Sequence, residues 1–402
     1  MMDHTSILVV LNNSLGEVHF ILPYLVKAKE ELSVKVYYYF INSKIHDKAA
    51  DDHFYYQQLS ASGVIIKPNE LFPFLYKNRR AINLILKDTT RLGDGNLVSK
   101  IALLCPNAQL ALFPHAYALL GCNQKKELPP VRNDDSEMID YVLYSNKYDA
   151  PVLGQRYSKD KLLNVGALGY SSWWKSIVKS YVQENSLLYE KLEKKDKSVV
   201  LLTLRDIHDI YLTENNFEYL LHSTFDFLFH DTDFFVIIKP HPRQSIQKIN
   251  GILEVYDSSR YIIQNQNTFV LSCFADLNLS FWSSSVTDCL AMGIPTMEFH
   301  RFHKNFSQTI LNDSGEIESF YSCLKLTYKV TSKEELKEAF TTDRQGLLKQ
   351  QKQRMQEVFV NTSNDNFKLL FEGKKKRYSL GRMVRSYIYI FLKFLYRKLR
   401  PA

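Results

Sequence analysis

Two apolar segments, each followed at once by polar residues, constrain the fold of this chain more than any other feature. Residues 234–238 (FFVII) run into residues 239–243 (KPHPR), and residues 277–281 (LNLSF) run into Trp282 and three serines. Short apolar runs bounded in this way predict buried strands of a parallel sheet. Because open parallel sheets bind ligands at the carboxyl ends of their strands, both polar segments are candidate binding residues.

Ser283, Ser284 and Ser285 stand between the second apolar segment and a predicted helix at residues 286–292. Serines at the start of a helix cap its free N–H groups, and the same N–H groups, together with the helix dipole, bind phosphate. The three serines are therefore predicted to bind a phosphate group of a ligand, with plain helix capping as the alternative.

His241 lies between two prolines, which prevent this backbone from continuing a helix or a central strand. A histidine held there could donate a hydrogen bond to a phosphate or act as an acid, and Arg243 could bind a phosphate through two parallel hydrogen bonds. Lys239 adds a second cation at the same strand end. Together with the serines, these residues predict a site for a nucleotide monophosphate or diphosphate. An ordinary turn histidine is the alternative for His241.

The segments IIKPHPR (residues 237–243) and LSFWSSSVTDCLAMGIPTMEF (residues 279–299) resemble the C-terminal domain of bacterial glycosyltransferases of the GT-B type. The resemblance is closest to the CDP-glycerol glycerophosphotransferases of teichoic-acid and capsule synthesis. It extends to the CMP-Kdo and CMP-sialic acid transferases, which carry an HP motif and a serine motif, and covers roughly residues 110–300. It implies an α/β fold in which two Rossmann-like domains face each other across a cleft. The second domain would bind the nucleotide donor and the first domain the acceptor.

The length and the strand pattern also favour two domains. A chain of 402 residues is long enough for two cores. Strand-like segments at residues 6–11 and 34–41, with a helical segment between them, predict a doubly wound sheet at the N-terminus. The predicted domains are residues 1–185 for the acceptor, residues 186–372 for the nucleotide donor, and residues 373–402 as a basic, aromatic tail.

Candidate catalytic bases follow strands of the first domain. Glu17 and His19 follow the first strand, and His115 follows a predicted strand at residues 109–113. In the resembled families the first of these loops faces the cleft and a histidine stands at a strand end like that of His115. Any of the three could then take a proton from the acceptor. Asp94, which precedes a glycine, resembles the acidic motif of bacterial sialyltransferases and is a further candidate, although a plain Asp-Gly turn is the favoured interpretation of this pair.

Two more predictions concern the donor domain. Residues 203–206 (TLRD) resemble a loop of the glycerophosphotransferases. The resemblance implies that Asp206 serves as nucleophile or base, with Asp209 as the alternative, and that Arg205 contacts the donor. In the same families the strand after the serine helix contacts ribose or base, so Glu298 is a candidate ligand for ribose hydroxyl groups.

The positive charge is concentrated at the C-terminus. The net charge is +8, but residues 374–402 contain ten Lys and Arg and no acid, so the first 373 residues carry −2. A nucleic-acid-binding protein would spread its basic residues over a folded face, so no nucleic-acid partner is expected. Basic residues share residues 383–396 with Tyr, Ile, Phe and Leu, which predicts a helix lying on an anionic membrane surface. A helix packed on the protein is the alternative.

The remaining sequence signals concern cofactors and location. The five cysteines are scattered, without a CxxC pair or a histidine cluster at zinc spacing, so no metal and no cofactor are expected and a reducing compartment is favoured. The sequence shows no signal-peptide pattern and no run of about 18 apolar residues. The expected location is the cytoplasm, peripheral on the inner face of the cell membrane.

These observations lead to one principal hypothesis and two rivals. The principal hypothesis is a metal-independent glycosyltransferase of capsule, lipopolysaccharide or teichoic-acid-like surface polysaccharide synthesis. It would transfer a sugar or glycerol-phosphate unit from CMP-Kdo, CMP-sialic acid or CDP-glycerol to a lipid-linked glycan acceptor. The rivals are a UDP-sugar 2-epimerase-like enzyme of the same fold and a non-catalytic, membrane-binding partner of a polysaccharide-synthesising complex.

Overall fold

The computed structural model of the chain describes residues 5–12, 14–88, 97–117, 119, 138–193, 196–208, 212–302, 310–311, 317–359, 365–371 and 380–399. Within these residues the chain forms two compact units, each with its own parallel β-sheet. The two parallel sheets confirm the predicted α/β class. The sequence candidates Asp94 and Asp209 lie outside the described residues.

A seven-stranded sheet forms the centre of the first unit. Its strands are β1 (Ser6–Leu11), β2 (Lys35–Phe40), β3 (Gly63–Ile66), β4 (Ile82–Asp88), β5 (Gln109–Phe113), β6 (Tyr141–Tyr144) and β7 (Leu162–Asn164). They pair in parallel in the order β3-β2-β1-β4-β5-β6-β7. The winding direction reverses between β1 and β4, and such a switch point is where open sheets bind ligands.

A six-stranded sheet forms the centre of the second unit. The second unit contains β8 (Val199–Thr203), β9 (Phe235–Lys239), β10 (Tyr261–Ile263), β11 (Leu277–Ser280), β12 (Thr296–Phe299), β13 (Ile310–Leu311), β14 (Ile317–Glu318) and β15 (Tyr328–Val330). The parallel order is β10-β9-β8-β11-β12-β15, with β13 and β14 as a separate antiparallel pair. This is the Rossmann order, and its switch point lies between β8 and β11.

Helices connect the strands in both units. The described α-helices are α1 (Leu15–Leu32), α2 (Ser43–Asp51), α3 (His53–Ser62), α4 (Leu71–Asn78), α5 (Leu97–Leu104), α6 (Asp149–Leu153), α7 (Ser172–Glu184), α8 (Ser186–Tyr189), α9 (Glu214–His230), α10 (Ile246–Leu253), α11 (Thr268–Ser272), α12 (Ser285–Met292), α13 (Phe320–Cys323), α14 (Lys333–Thr341), α15 (Arg344–Val358), α16 (Asp365–Lys368) and α17 (Leu380–Leu399). Helices α1 to α6, α16 and α17 belong to the first unit, and the others belong to the second. Ser14 starts α1 by accepting a hydrogen bond from the N–H group of Gly16 (3.0 Å).

The second unit begins at Tyr170, earlier than the predicted boundary at residue 185. Helix α7 belongs to the second unit because its side chains pack there. The hydroxyl groups of Tyr181 and Tyr189 lie 2.9 Å apart, and the ring of Tyr189 packs against that of Phe274 (5.6 Å between centroids).

Helix α17 is docked on the first unit, which differs from the predicted separate tail at residues 373–402. Ile390 is buried in the core of this unit, and the ring of Tyr387 packs against that of Phe72 in α4 (5.2 Å between centroids). The helix also lies along α5. The sequence shows that apolar and basic residues share this helix but does not show that one side of it packs on the protein. Among the described residues, no helix combines the length and the apolarity needed to cross a membrane.

Candidate functional site

The carboxyl edge of the second sheet brings together most residues predicted for donor binding. Strand β8 is followed by Arg205, β9 ends at Lys239, and β11 is followed by Trp282 and the serines. Strands β9, β8 and β11 are neighbours in the sheet, so their loops meet at the switch point. Lys239 is partly exposed there, and its carbonyl group accepts a hydrogen bond from the N–H group of Leu204 (3.0 Å). The edge therefore collects cations and hydroxyl groups where a parallel sheet binds its ligand.

The three serines surround the first turn of α12. Ser283 Oγ accepts a hydrogen bond from the N–H group of Ser285 (3.3 Å), and Ser280 Oγ accepts one from the N–H group of Ser283 (3.0 Å). Ser284 occupies the N-cap position, is exposed and makes no side-chain capping bond. Ser285 Oγ is buried and has no hydrogen-bond partner among the described residues. Plain capping thus explains the role of Ser283 but not those of Ser284 and Ser285.

Trp282 turns the chain from β11 into α12. Its φ of +60° lies in the left-handed region, which residues other than glycine seldom adopt. The guanidinium group of Arg205 lies over the Trp282 ring, 4.7 Å from its centroid. This cation–π contact joins the loops after β8 and β11 and places a positive charge close to the start of α12. Strained backbone of this kind persists where the surrounding structure fixes it, which is common at functional sites.

His241 is held by a residue that the motif did not single out. The N–H group of His241 donates a hydrogen bond to Gln244 Oε1 (2.7 Å), and Gln244 Nε2 donates one to the carbonyl oxygen of Arg205 (2.7 Å). Gln244 therefore ties the loop after β9 to the loop after β8. The sequence signal that could have identified Gln244 is its position directly after the rigid KPHPR segment (residues 239–243).

Asp206 forms an ion pair with Arg243, with 3.2 Å between Oδ2 and Nε. The Arg243 side chain is 62% exposed and the Asp206 side chain is 20% exposed. Exposed ion pairs are weak, so Arg243 can exchange this carboxylate for a phosphate group. The predicted donor ligand Arg243 and the predicted nucleophile or base Asp206 are thus brought together at the same edge.

Glu298 lies in the interior of the second unit, which contradicts its predicted contact with a ribose. Its side chain is fully buried, and Oε2 accepts hydrogen bonds from Ser319, Ser322 (3.1 Å) and Thr327 (3.2 Å). Burial raises the pKa of this carboxyl group to about 7. The strand position alone did not reveal that residue 298 faces the packed side of β12.

Glu17, Asp88 and His115 meet at the switch point of the first sheet. Glu17 lies in the first turn of α1, Asp88 ends β4, and His115 follows β5. Each offers one oxygen or nitrogen atom, and these atoms lie within 4.8 Å of one another. Glu17 and His115 were sequence candidates, whereas Asp88 carries no motif and was missed. His19 instead hydrogen-bonds Tyr55, with 2.8 Å between Nδ1 and the hydroxyl oxygen.

Hydrogen bonds hold this cluster in place. Ser14 Oγ lies 2.7 Å from His115 Nε2, and Glu17 Oε2 accepts a hydrogen bond from the N–H group of Asn12 (2.7 Å). The buried ammonium group of Lys87 lies 3.1 Å from Asp88 Oδ1. A side chain at residue 16 would crowd His115, because an added Cβ would lie 3.1 Å from Nε2. The imidazole therefore has a fixed position beside two carboxylates.

The same cluster contains the only grouped metal-ligand candidates in the described part of the chain. Two carboxylates and an imidazole are ligands that divalent metals accept. Lys87 already supplies a positive charge to Asp88, which disfavours a second cation at that carboxylate. The expectation that the protein works without a metal ion therefore stays a prediction.

Solved structures share this arrangement of two parallel sheets, although the sequence matches no protein-family model and no curated protein. Staphylococcus aureus MnaA, in a co-structure with UDP, matches with a TM-score of 0.56 at 12% identity, covering 93% of this chain and 100% of that one. The chain has the GT-B fold.

Two further solved structures with this fold correspond to the two enzymatic hypotheses. Neisseria meningitidis UDP-GlcNAc 2-epimerase bound to UDP-GlcNAc matches with a TM-score of 0.55 at 13% identity, covering 97% of this chain and 100% of that one. The wall teichoic acid polymerase TagF matches with a TM-score of 0.53 at 12% identity, covering 100% of this chain and 91% of that one. An epimerase and a polymerase thus share the GT-B fold with this chain, and the fold alone does not choose between them.

Proposed function

We propose that this protein is a glycosyltransferase of surface-polysaccharide synthesis. It transfers a sugar or glycerol-phosphate unit from a cytidine-nucleotide donor to a lipid-linked glycan acceptor. The carboxyl edge of the second sheet carries the proposal, because Arg205, Lys239 and His241 lie there beside the serine hydroxyl groups that start α12. Cations and a helix N-terminus at a switch point suit a phosphate-bearing ligand. The nucleotide complexes formed by proteins of the same fold support this choice of ligand.

The reaction needs a base for the acceptor and a positive environment for the leaving phosphate. The acceptor oxygen forms a bond to the donor carbon, or to phosphorus for glycerol phosphate, as the bond to the nucleotide phosphate breaks. His115 takes the hydroxyl proton, and Glu17 and Asp88 stabilise the resulting imidazolium. The leaving phosphate keeps the electron pair of the broken bond. Arg205, His241 and the start of α12 stabilise its charge, so these groups supply the role that a metal ion has in other transferases.

The exposed side of α17 supports a lipid-linked acceptor. Val384, Ile388, Leu392 and Tyr396 recur at every fourth residue and are 48%, 50%, 57% and 55% exposed. Tyr76 of α4, a helix that α17 contacts, is 63% exposed. The C-terminal segment adds ten Lys and Arg and no acid. This combination suits an anionic membrane surface, and the proposed location is peripheral on the cytoplasmic face of the cell membrane.

A UDP-sugar 2-epimerase is the second candidate, because the N. meningitidis epimerase has the same fold. Such a reaction uses a soluble substrate and needs no membrane surface. The exposed apolar side chains of α17, in a segment that is rich in Lys and Arg, therefore favour the transferase.

Assays with labelled donors test the proposal and separate it from its rivals. The purified protein is incubated with CMP-Kdo, CMP-sialic acid, CDP-glycerol or UDP-GlcNAc, with and without vesicles that contain a lipid-linked glycan. We expect label from one cytidine donor to enter the lipid fraction. Conversion of UDP-GlcNAc to its 2-epimer without an acceptor would replace the transferase by an epimerase. If no donor is turned over, with or without vesicles, the remaining hypothesis is a non-catalytic partner of a polysaccharide-synthesising complex.

A further inference from the structure

Tyr170, which the proposed reaction does not use, lies buried beside the first turn of α12. It is 7% exposed, and its hydroxyl group donates a hydrogen bond to Thr287 Oγ1 (2.7 Å), with Asp288 Oδ1 at 3.3 Å. Thr287 Oγ1 in turn donates a hydrogen bond to the carbonyl oxygen of Ser284 (2.8 Å). A chain of two hydrogen bonds therefore connects Tyr170 to the backbone of the residue at the start of the proposed phosphate site.

The first turn of α12 depends on contacts of this kind for its position. The helix has eight residues, and helices of this length are marginally stable on their own. Ser284 occupies the N-cap position without a side-chain capping bond, so its side chain does not fix the turn. The carbonyl group of Ser284 instead accepts hydrogen bonds from the N–H group of Thr287 (3.2 Å) and from the Thr287 hydroxyl group. The bond from Tyr170 restricts that hydroxyl group, because a buried hydroxyl that accepts one hydrogen bond and donates another has a fixed direction.

Aromatic contacts hold the ring of Tyr170 itself in place. The ring packs edge-on against Phe359 (5.1 Å between centroids) and against Phe269 of α11 (6.2 Å), a helix that lies beside α12. Edge-to-face pairs favour a particular orientation of the two rings as well as their separation. A phenylalanine at residue 170 could make the same ring contacts. The feature that requires a tyrosine is therefore the hydroxyl group at α12.

We propose that Tyr170 is a positioning residue for the phosphate site. Its hydroxyl group keeps the first turn of α12 in the orientation in which the N–H groups of the helix and the hydroxyl groups of Ser284 and Ser285 meet a nucleotide phosphate. Binding groups must be held to within about 0.5 Å, and hydrogen bonds from residues that do not touch the ligand supply this precision. The proposal rests on the proposed nucleotide site at α12 and adds the residue that holds this site in shape.

Tyr170→Phe removes only the hydroxyl group, and Tyr256→Phe is its matched control. The hydroxyl group of Tyr256 donates a comparable hydrogen bond, to Asp226 Oδ1 (2.6 Å), in the same unit. Tyr256 precedes β10, and Asp226 lies in the last turns of α9, which precedes β9. This bond therefore lies at the amino edge of the sheet, away from the start of α12. Calorimetric titration with CMP, CDP, UDP and GDP measures binding by wild type and both variants.

We expect Kd for the bound nucleotide to rise about three- to tenfold in Tyr170→Phe and to keep its wild-type value in Tyr256→Phe. Amide hydrogen exchange without nucleotide should become faster at residues 285–287 in Tyr170→Phe but not in the control. A wild-type Kd or unchanged exchange in Tyr170→Phe would overturn the proposal and leave the proposed function standing. Equal losses of affinity in the two variants would overturn it too, because the hydroxyl group would then act only on stability. A wild type that binds none of the four nucleotides would overturn both proposals.

A double-mutant cycle tests whether Tyr170 acts through Thr287. Thr287→Val removes the hydroxyl group that bonds Ser284 and keeps the branched shape of the side chain. If Tyr170 acts through this hydroxyl group, adding Tyr170→Phe to Thr287→Val should raise Kd by less than about twofold more. A further rise as large as the one in the wild-type background would show that Tyr170 does not act through Thr287 and would overturn the assigned role.

Discussion

Ionisation of Glu298 should link the stability of the second unit to pH. Burial raises the pKa of this carboxyl group from 4.5 to about 7, against the opposing effect of hydrogen bonds from Ser319, Ser322 and Thr327. The folded state therefore holds the proton more tightly than the unfolded state. As pH rises from about 4.5 to about 7, the free energy of unfolding should fall, because ionising the buried group is unfavourable.

Glu298→Gln removes this ionisation and provides the measurement. Relative to the variant, wild type should lose about 2 kcal/mol of unfolding free energy between pH 5 and pH 8. Denaturant unfolding of both proteins at the two pH values measures the difference. A difference between the proteins that is the same at pH 5 and pH 8 would show that the carboxyl group titrates normally.

His241→Ala tests the residue that the rigid Pro-His-Pro segment presents at the sheet edge. Loss of a group that stabilises the leaving phosphate should lower turnover by about 10²-fold or more. The backbone hydrogen bond from residue 241 to Gln244 remains in this variant, so the loop should keep its shape. His222→Ala, at an exposed position of α9, is the matched control. Turnover that matches the control would reduce His241 to a turn residue.

The sequence predicts which strand ends carry polar residues better than it predicts where single side chains point. The KPHPR segment and the serines lie at the sheet edge because the end of a buried strand is visible as the end of an apolar run. Glu298 was misplaced because its direction depends on which side of β12 is packed. Gln244 was missed because its hydrogen bond to Arg205 joins residues far apart in the chain.

Among the elements, α17 has two sides that should respond differently to the same change. Ile390 is 2% exposed and lies in the core of the first unit, while Ile388 is 50% exposed on the same helix. Ile390→Ala should cost about 2–5 kcal/mol of unfolding free energy, and Ile388→Ala should change it by less than about 0.5 kcal/mol. Denaturant unfolding compares the two. Equal and small effects would mean that the helix is not docked.

The exposed side of α17 should bind anionic membranes. Replacing Val384, Ile388, Leu392 and Tyr396 with Gln removes the most exposed of the described apolar side chains of the helix and keeps every charge and the buried Ile390. Wild type should pellet with anionic vesicles and be released by high salt, because the attraction of about 1 kcal/mol per basic residue is screened. The fourfold variant should stay in the supernatant.

A matched set of substitutions controls for the loss of apolar surface in general. Val64, Leu187, Leu188 and Val255 are 60%, 87%, 59% and 79% exposed and lie outside α17. Their replacement with Gln should leave pelleting unchanged. If the α17 variant pellets as strongly as this control, its exposed side does not bind the membrane.

The sequence revealed the amphipathic and basic character of α17 but not its docking. Deleting the segment would expose the core around Ile390, so a loss of membrane binding could not be separated from unfolding. The packing of Tyr387 on Phe72 joins residues more than 300 positions apart, and no local pattern records such a contact.

At the scale of the whole molecule, the two sheets follow from the alternation of apolar strands with helices. Strands β1 and β5 lie at the residues that the sequence pattern predicts. The assignment of segments to units was harder to predict, because the chain returns to the first unit after residue 359. Phe367, for example, packs its ring against Tyr24 (5.2 Å between centroids). The return of the chain to the first unit depends on contacts of this kind, between residues far apart in the sequence, and no local pattern predicts them.

The central claim is that the second unit binds a nucleotide at the start of α12, and thermal unfolding with CMP, CDP, UDP and GDP tests it most directly. A nucleotide at 100 times its Kd should stabilise the protein by about 2.7 kcal/mol and raise Tm by about 5 °C or more. We predict this rise for a cytidine nucleotide with wild type. A Ser284→Ala, Ser285→Ala double variant should show a much smaller rise from a similar unliganded Tm. No rise with any nucleotide, or the same rise in both proteins, would contradict the claim.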